Sequence, residues 1–167
     1  MPPPLAYFLT WTCHGTWLHG DERGSVDDAH NMRGAPYLPP DPRRREYETR
    51  NVPADPIVLN ERSRDIVARA ITDHCRIRDW ELLALNVRSN HVHLVVACPP
   101  EVAPENALAQ FKAWCTRRLR EAGLAHADAR LWTHHGSTRW INDAKSLTGA
   151  IAYVLEGQDH PHAPEQA

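Results

Sequence analysis

Apolar residues follow two rhythms along this chain. Runs of strand length, dense in β-branched and aromatic types, recur at 5–13, 80–87 and 90–98. Elsewhere apolar positions return every three or four residues. Ile66, Val67, Ala70 and Ile71 do so behind an Asn60 N-cap, and Leu108, Phe111, Cys115 and Leu119 do so between Pro104 and Gly123. These spacings predict helices over 62–74 and 105–122. A last helix runs from an Asp143 cap to about Gly157, with Leu147, Ala150, Ile151, Val154 and Leu155 as its core stripe. Residues 131–133 and 138–141 read as a fourth strand region. Gly136 breaks it, so it also fits a small hairpin.

The order strand, helix, strand, strand, helix, strand defines an α+β fold, the ferredoxin-like split βαβ sandwich, with an extra C-terminal helix. Its antiparallel sheet has four or five strands. Only Arg88-Ser89-Asn90 separates the second strand from the third, which makes them a hairpin. The first and third strands are central in this topology. Side chains alternate across a strand, so Val92, Leu94, Val96 and Cys98 form one apolar face, turned toward the first two helices. His91 and His93 then lie together on the other face.

Periodicity vanishes between 20 and 57, where Gly24, Gly34, Pro36, Pro39, Pro40, Pro42 and Pro53 interrupt any element. Arg43-Arg44-Arg45 lies in this insertion, but Asp41, Glu46 and Glu48 dilute its field, and it reads as a solvated loop. The tail at 159–167 reads as disordered, leaving 1–158 as one domain.

Composition narrows the function classes. With 167 residues and a formal net charge of −2, the chain is not a strongly basic, indiscriminate nucleic-acid binder. No charged segment followed by an apolar run opens it, and no apolar stretch reaches the length of a membrane span. A soluble cytoplasmic protein is the expectation. The four cysteines are scattered without a CxxC pair, which suggests neither a zinc knuckle nor a disulfide framework. Cys75 and Cys115 fall within apolar helical patterns and read as core.

Two imidazoles at i and i+2 on one face of a strand make a chelate, given a third oxygen or nitrogen ligand from elsewhere. The plainer alternative is a pair of hydrogen-bonded structural histidines, since each polar ring in so apolar a strand needs a partner. Tyr153 is turned roughly 130° from the centre of its helix's apolar stripe. It is a solvent-touching tyrosine or a positioned reagent. Glu156, three residues on, shares its side of the helix.

Taken together, these residues resemble a known family. His91-Val92-His93 within Asn90-His91-Val92-His93-Leu94-Val95-Val96 resembles the HUH motif of the single-tyrosine transposases, U being a bulky apolar residue. Gly15-Thr16-Trp17-Leu18, Gly136-Ser137-Thr138-Arg139 and Tyr153-Val154-Leu155 resemble segments of their REP-associated, RAYT-like branch. The resemblance implies a DNA strand transferase and single-strand endonuclease that acts near hairpins. Its implied nucleophile is Tyr153, and its implied cofactor is Mg²⁺ or Mn²⁺ held by His91 and His93 with a polar residue past the tyrosine.

The family commonly places that third ligand four residues after the tyrosine, where this chain has Gly157. The assignment therefore moves to Gln158, with Glu156 as its competitor. The implied partner is single-stranded DNA bearing a REP-like or transposon-end hairpin, bound by a monomer or homodimer. Lys112, Arg117, Arg118 and Arg139 would meet phosphates, and Trp11, Trp17 or Trp140 would stack on bases. Plainer readings stay open for each: arginines on a helix's polar side are mostly solvated, and tryptophans are mostly core. Two rival functions remain: a non-cleaving nucleic-acid-binding module on the same fold, and a metal phosphohydrolase with water as nucleophile.

Overall fold

The computed structural model describes residues 2–15 and 57–156. Four strands and three helices follow one another as β1 (Ala6–Thr12), α1 (Glu61–Arg78), β2 (Glu81–Val87), β3 (His91–Ala97), α2 (Pro104–Glu121), β4 (Ser137–Ile141) and α3 (Ala144–Leu155). Residues 20–56 of the expected 20–57 insertion, the 159–167 tail and Gln158 lie outside the described residues, as do Trp17 and Gly157.

All strand pairs are antiparallel, in the order β2-β3-β1-β4, so β1 and β3 are central as the split βαβ topology requires. Register is set with Tyr7 opposite Val96, Thr10 opposite His93 and Thr12 opposite His91. Helices α1 and α2 cover one face. There Val92, Leu94 and Val96 join Leu9, Trp11, Val67, Ile71, Phe111 and Cys115 in the main core. Helix α3 covers the other face, where Val154 packs against Ala6, Ala84, Val95 and Ile141.

The helix ends follow from local chemistry. The Asn60 side chain accepts from Ser63 N at 2.8 Å, and Asp143 accepts from Ser146 N at 2.8 Å, so both expected caps form. Helix α1 runs to Arg78, beyond the expected 74. Past the buried Cys75 its last residues are Arg76, Ile77 and Arg78, and Ile77, 65% exposed, adds no signal to the core stripe. Asp79 then turns left-handed, at φ 58°, to cap it. Helix α2 starts with Pro104 in its first turn and stops before Gly123 at φ 74°.

Two expectations need correction. Residues 131–133 form no hairpin with β4. They lie along the end of β1 instead, with Trp132 bridged to Cys13 and Thr133 N donating to Thr12 O at 3.0 Å. The intervening residues loop out and return at Gly136, where a Cβ would come within 2.6 Å of Thr10 O. The apolar stripe of α3 is also narrower than its spacing suggested. Val154 takes the contact with the sheet, and Leu155, one step further round the helix, is 51% exposed.

Candidate active site

The sheet register brings one row of polar side chains to the α3 face. His93 stands between Thr10 on β1 and Asn86 on β2, and beyond Thr10 lies Ser137 on β4. His91 stands opposite Thr12 on β1, and on the other side Arg88 N donates to His91 O at 2.8 Å. The two imidazole centroids are 4.6 Å apart.

Each ring is held through the same nitrogen. His91 Nδ1 meets Asn90 Oδ1 at 2.6 Å, and His93 Nδ1 meets Thr10 Oγ1 at 2.8 Å. An amide oxygen can only accept, so His91 carries its proton on Nδ1 and its lone pair on Nε2. The Thr10 hydroxyl can donate or accept, and His93 takes the same tautomer when it accepts. Partners at Nδ1 that present Nε2 are the usual support of metal-binding histidines. The donor set therefore fits half of a divalent-ion site.

The electrostatics agree. Burial, helped by the neighbouring His91 and Arg88, pushes His93 down to about 3, so it is neutral at physiological pH. A neutral imidazole is the form that binds a metal.

Tyr153 comes from the last turns of α3. Its ring centroid is 5.8 Å from that of His93, nearly perpendicular to it, and 5.9 Å from that of Phe8. Phe8 in turn lies 5.9 Å from His93, so the three rings enclose one another. Tyr153 remains 49% exposed, and its open side faces solvent. The sequence placed it away from its helix's apolar stripe, and that flank is the one beside the histidines. Among the described residues no group of three or more His, Cys, Asp or Glu side chains gathers to hold an ion. Glu156 is exposed at the end of α3, and Gln158 lies outside the described residues.

The candidate DNA contacts divide between the two layers. Arg139 is opposite Phe8 on β4 and shares the face of the histidines. Lys112, Arg117 and Arg118 are on α2, across the sheet. The Lys112 ammonium donates to Thr133 O, His134 O and His135 O at 2.8, 3.4 and 3.2 Å, which ties down the loop before β4. Burial, with Arg130 nearby, lowers it to about 8. Arg117 and Arg118 pair with Glu121 at 3.0 and 3.5 Å and lie over the Trp114 ring. Of the tryptophans considered for stacking, Trp11 is core, at 1% exposure, and cannot meet a base. Trp140 is 48% exposed on the edge strand.

Thr10, Asn86, Arg88 and Asn90 escaped the reading of the sequence. Asn90 had a local signal, since it immediately precedes His91. Arg88 lies in the same hairpin turn, three residues before His91, and Thr10 and Asn86 are joined to the site only by strand register.

Comparison with known proteins yields a family and a fold. The family model for IS200-like transposases matches residues 56–148. No curated protein matches the chain. One solved structure, a REP-associated tyrosine transposase bound to a REP hairpin, is 13% identical with a TM-score of 0.54, over 97% of this chain and 71% of that one. A candidate transposase from Deinococcus radiodurans is 17% identical with a TM-score of 0.52, over 95% of this chain and 93% of that one. At these identities the two structures speak for the fold alone, and they share it.

Proposed function

The chain belongs to the IS200-like transposase family, and from that premise we propose that it cleaves and rejoins single-stranded DNA beside hairpins through a tyrosine-linked intermediate. The observation that carries this reading is the contact of the Tyr153 ring with His93, itself 4.6 Å from His91, with both imidazoles held through Nδ1. A hairpin partner is suggested by the solved relative bound to a REP hairpin.

In this proposal His91 and His93 hold Mg²⁺ or Mn²⁺, with Gln158 as third ligand and Glu156 as its competitor. Such an ion, when bound, offsets the negative charge that grows on a scissile phosphate. Thr10 and Asn90 fix the ring orientations that this needs. The Tyr153 oxygen attacks phosphorus, and the bond from phosphorus to the 3′-oxygen breaks. The phenol gives up its proton and the departing 3′-oxygen gains one, leaving a 5′-phosphotyrosine and a free 3′-hydroxyl. The phosphodiester energy is kept in the new ester, so rejoining needs no nucleotide cofactor. A phenol with an ordinary pKa of ~10 needs activation to attack at neutral pH.

Arg139 is the proposed phosphate contact on the reacting face. Arg117 and Arg118 belong to the other layer, and Lys112 serves the strand indirectly by fixing the loop ahead of β4.

The test is covalent capture. Wild-type protein, Mn²⁺ and single-stranded oligonucleotides bearing a REP-type hairpin should yield a protein–DNA adduct that Tyr153→Phe reduces at least ~10³-fold. Tight binding with no adduct identifies a non-cleaving binding module instead. Cleavage that persists in Tyr153→Phe but is lost in His91→Ala identifies a phosphohydrolase.

A further inference from the structure

Strand β2 carries an irregularity with a consequence for the site. Trp80 and Leu82 face the main core, and simple alternation would send Ala84 and Asn86 there too. The register instead shifts between Leu82 and Ala84, so Ala84 pairs with Val95 and Asn86 with His93. A one-residue bulge inverts every later side chain. Leu85 and Val87 enter the core, and Asn86 moves to the face of the histidines.

There its amide finds a particular acceptor. The last carbonyls of a helix have no partner within it. Helix α3 ends at Leu155, with no basic side chain in its last turn, and Val154 O accepts from Asn86 Nδ2 at 3.1 Å. Val154 is the fully buried residue of α3 and directly follows Tyr153. Val154 also packs on Ala6, Ala84, Val95 and Ile141, and the Tyr153 ring meets Phe8 and His93. A hydrogen bond to the main chain at 154 fixes the backbone from which the phenol projects.

We propose that Asn86 is a positioning residue, one that ties the last turn of α3 to the cross-strand neighbour of His93 and so seats Tyr153 beside the histidines. The proposal rests on Tyr153 being the nucleophile. It adds that the tyrosine's place is set by an amide on β2 and not by apolar packing alone. A displacement of about 1 Å from an attack geometry costs on the order of 10²-fold in rate, so losing this tie should be felt in the chemical step and not in binding.

The experiment compares wild type with Asn86→Leu, of similar size but without a donor, Asn86→Ala, and Asn86→Gln, which keeps a donor. Single-turnover adduct formation with Mn²⁺ and a REP-type hairpin oligonucleotide should slow about 10- to 100-fold in the Leu and Ala variants. Kd for the oligonucleotide and for Mn²⁺ should change less than about twofold. Asn86→Gln should recover part of the rate. In metal-free protein the amides of the last turn of α3 should exchange faster in both donorless variants, with α1 unchanged. Wild-type rates in the Leu or Ala variant overturn the proposal, as does a rate loss matched by an equal loss of oligonucleotide or Mn²⁺ binding. Absence of any adduct from wild type refutes the nucleophile itself, a separate and visible failure.

Discussion

The two faces of one sheet are finished in opposite ways. On the α1 and α2 side, large rings interlock: Trp11 stacks on Phe111 at 6.4 Å, meets Trp132 edge-on at 6.1 Å, and Phe111 also meets Trp80 at 5.7 Å. On the α3 side the apolar patch is small, built from Ala6, Ala84, Val95, Ile141 and Val154, and it gives way to Thr10, Asn86, His91 and His93. The first face supplies most of the apolar burial, which is the main favourable term in folding. The second can therefore hold polar groups that add little to stability. A thin cover also leaves the phenol half-exposed and His91 partly so, while His93 stays buried.

That asymmetry is open to direct attack, and mutation of the core face should do the most damage to folding. Phe111→Ala should destabilise by about 3–5 kcal/mol. Val154→Ala, its counterpart under α3, should cost only about 1–2 kcal/mol, at ~0.8 kcal/mol per methylene-sized group. Urea unfolding of both variants measures the ratio, and equal losses would mean that the two faces share the load.

Thr10→Val should separate the faces in the other direction. It keeps the shape of the side chain but removes the hydroxyl from His93 Nδ1, and metal affinity should fall about 10- to 100-fold. Titration with Mn²⁺ reads this directly. Adduct formation should fall with it, while the unfolding midpoint moves little.

The remaining comparison is the pH response. His93 in the folded chain stays neutral down to about 3, whereas in the unfolded chain it titrates near 6.5. Between those values the unfolded chain binds the extra proton. The contribution of His93 is thus complete above 6.5 and shrinks as pH falls toward 3. His74, against α2 on the core side, is lowered for the same reason of burial, so both faces share the slope. His93→Gln should remove the site's part of it, seen as a smaller drop in urea midpoint between pH 7 and pH 5. An unchanged drop would assign the whole response to the core face.

Much of this fold is written in local pattern. Strand order, the hairpin at Arg88-Ser89-Asn90, the Asn60 and Asp143 caps and the apolar face of Val92, Leu94 and Val96 all follow from spacing within a few residues. The same holds for the shared face of His91 and His93, because alternation along a short strand leaves them no other arrangement. Tyr153 was visible as an aromatic off its helix's stripe. Its neighbours were not, because a period gives the direction of a side chain and not what lies opposite.

What tertiary structure decided are the relations between segments far apart in the chain. Thr10 supports His93 only because β1 and β3 pair in one register out of several that their apolar patterns permit. Lys112 looked like a phosphate ligand on a polar helix face. It became an internal clamp because the loop before β4 brings three carbonyls to it. The bulge in β2 is the sharpest case. Read alone, the alternation from Trp80 puts Asn86 into the core, where its amide would lack partners; paired with β3, the strand slips by one residue and turns that amide onto the end of α3. Residue types and their periods limit which faces are apolar. Where a polar group ends up depends on pairing energies summed across strands, which no single segment contains.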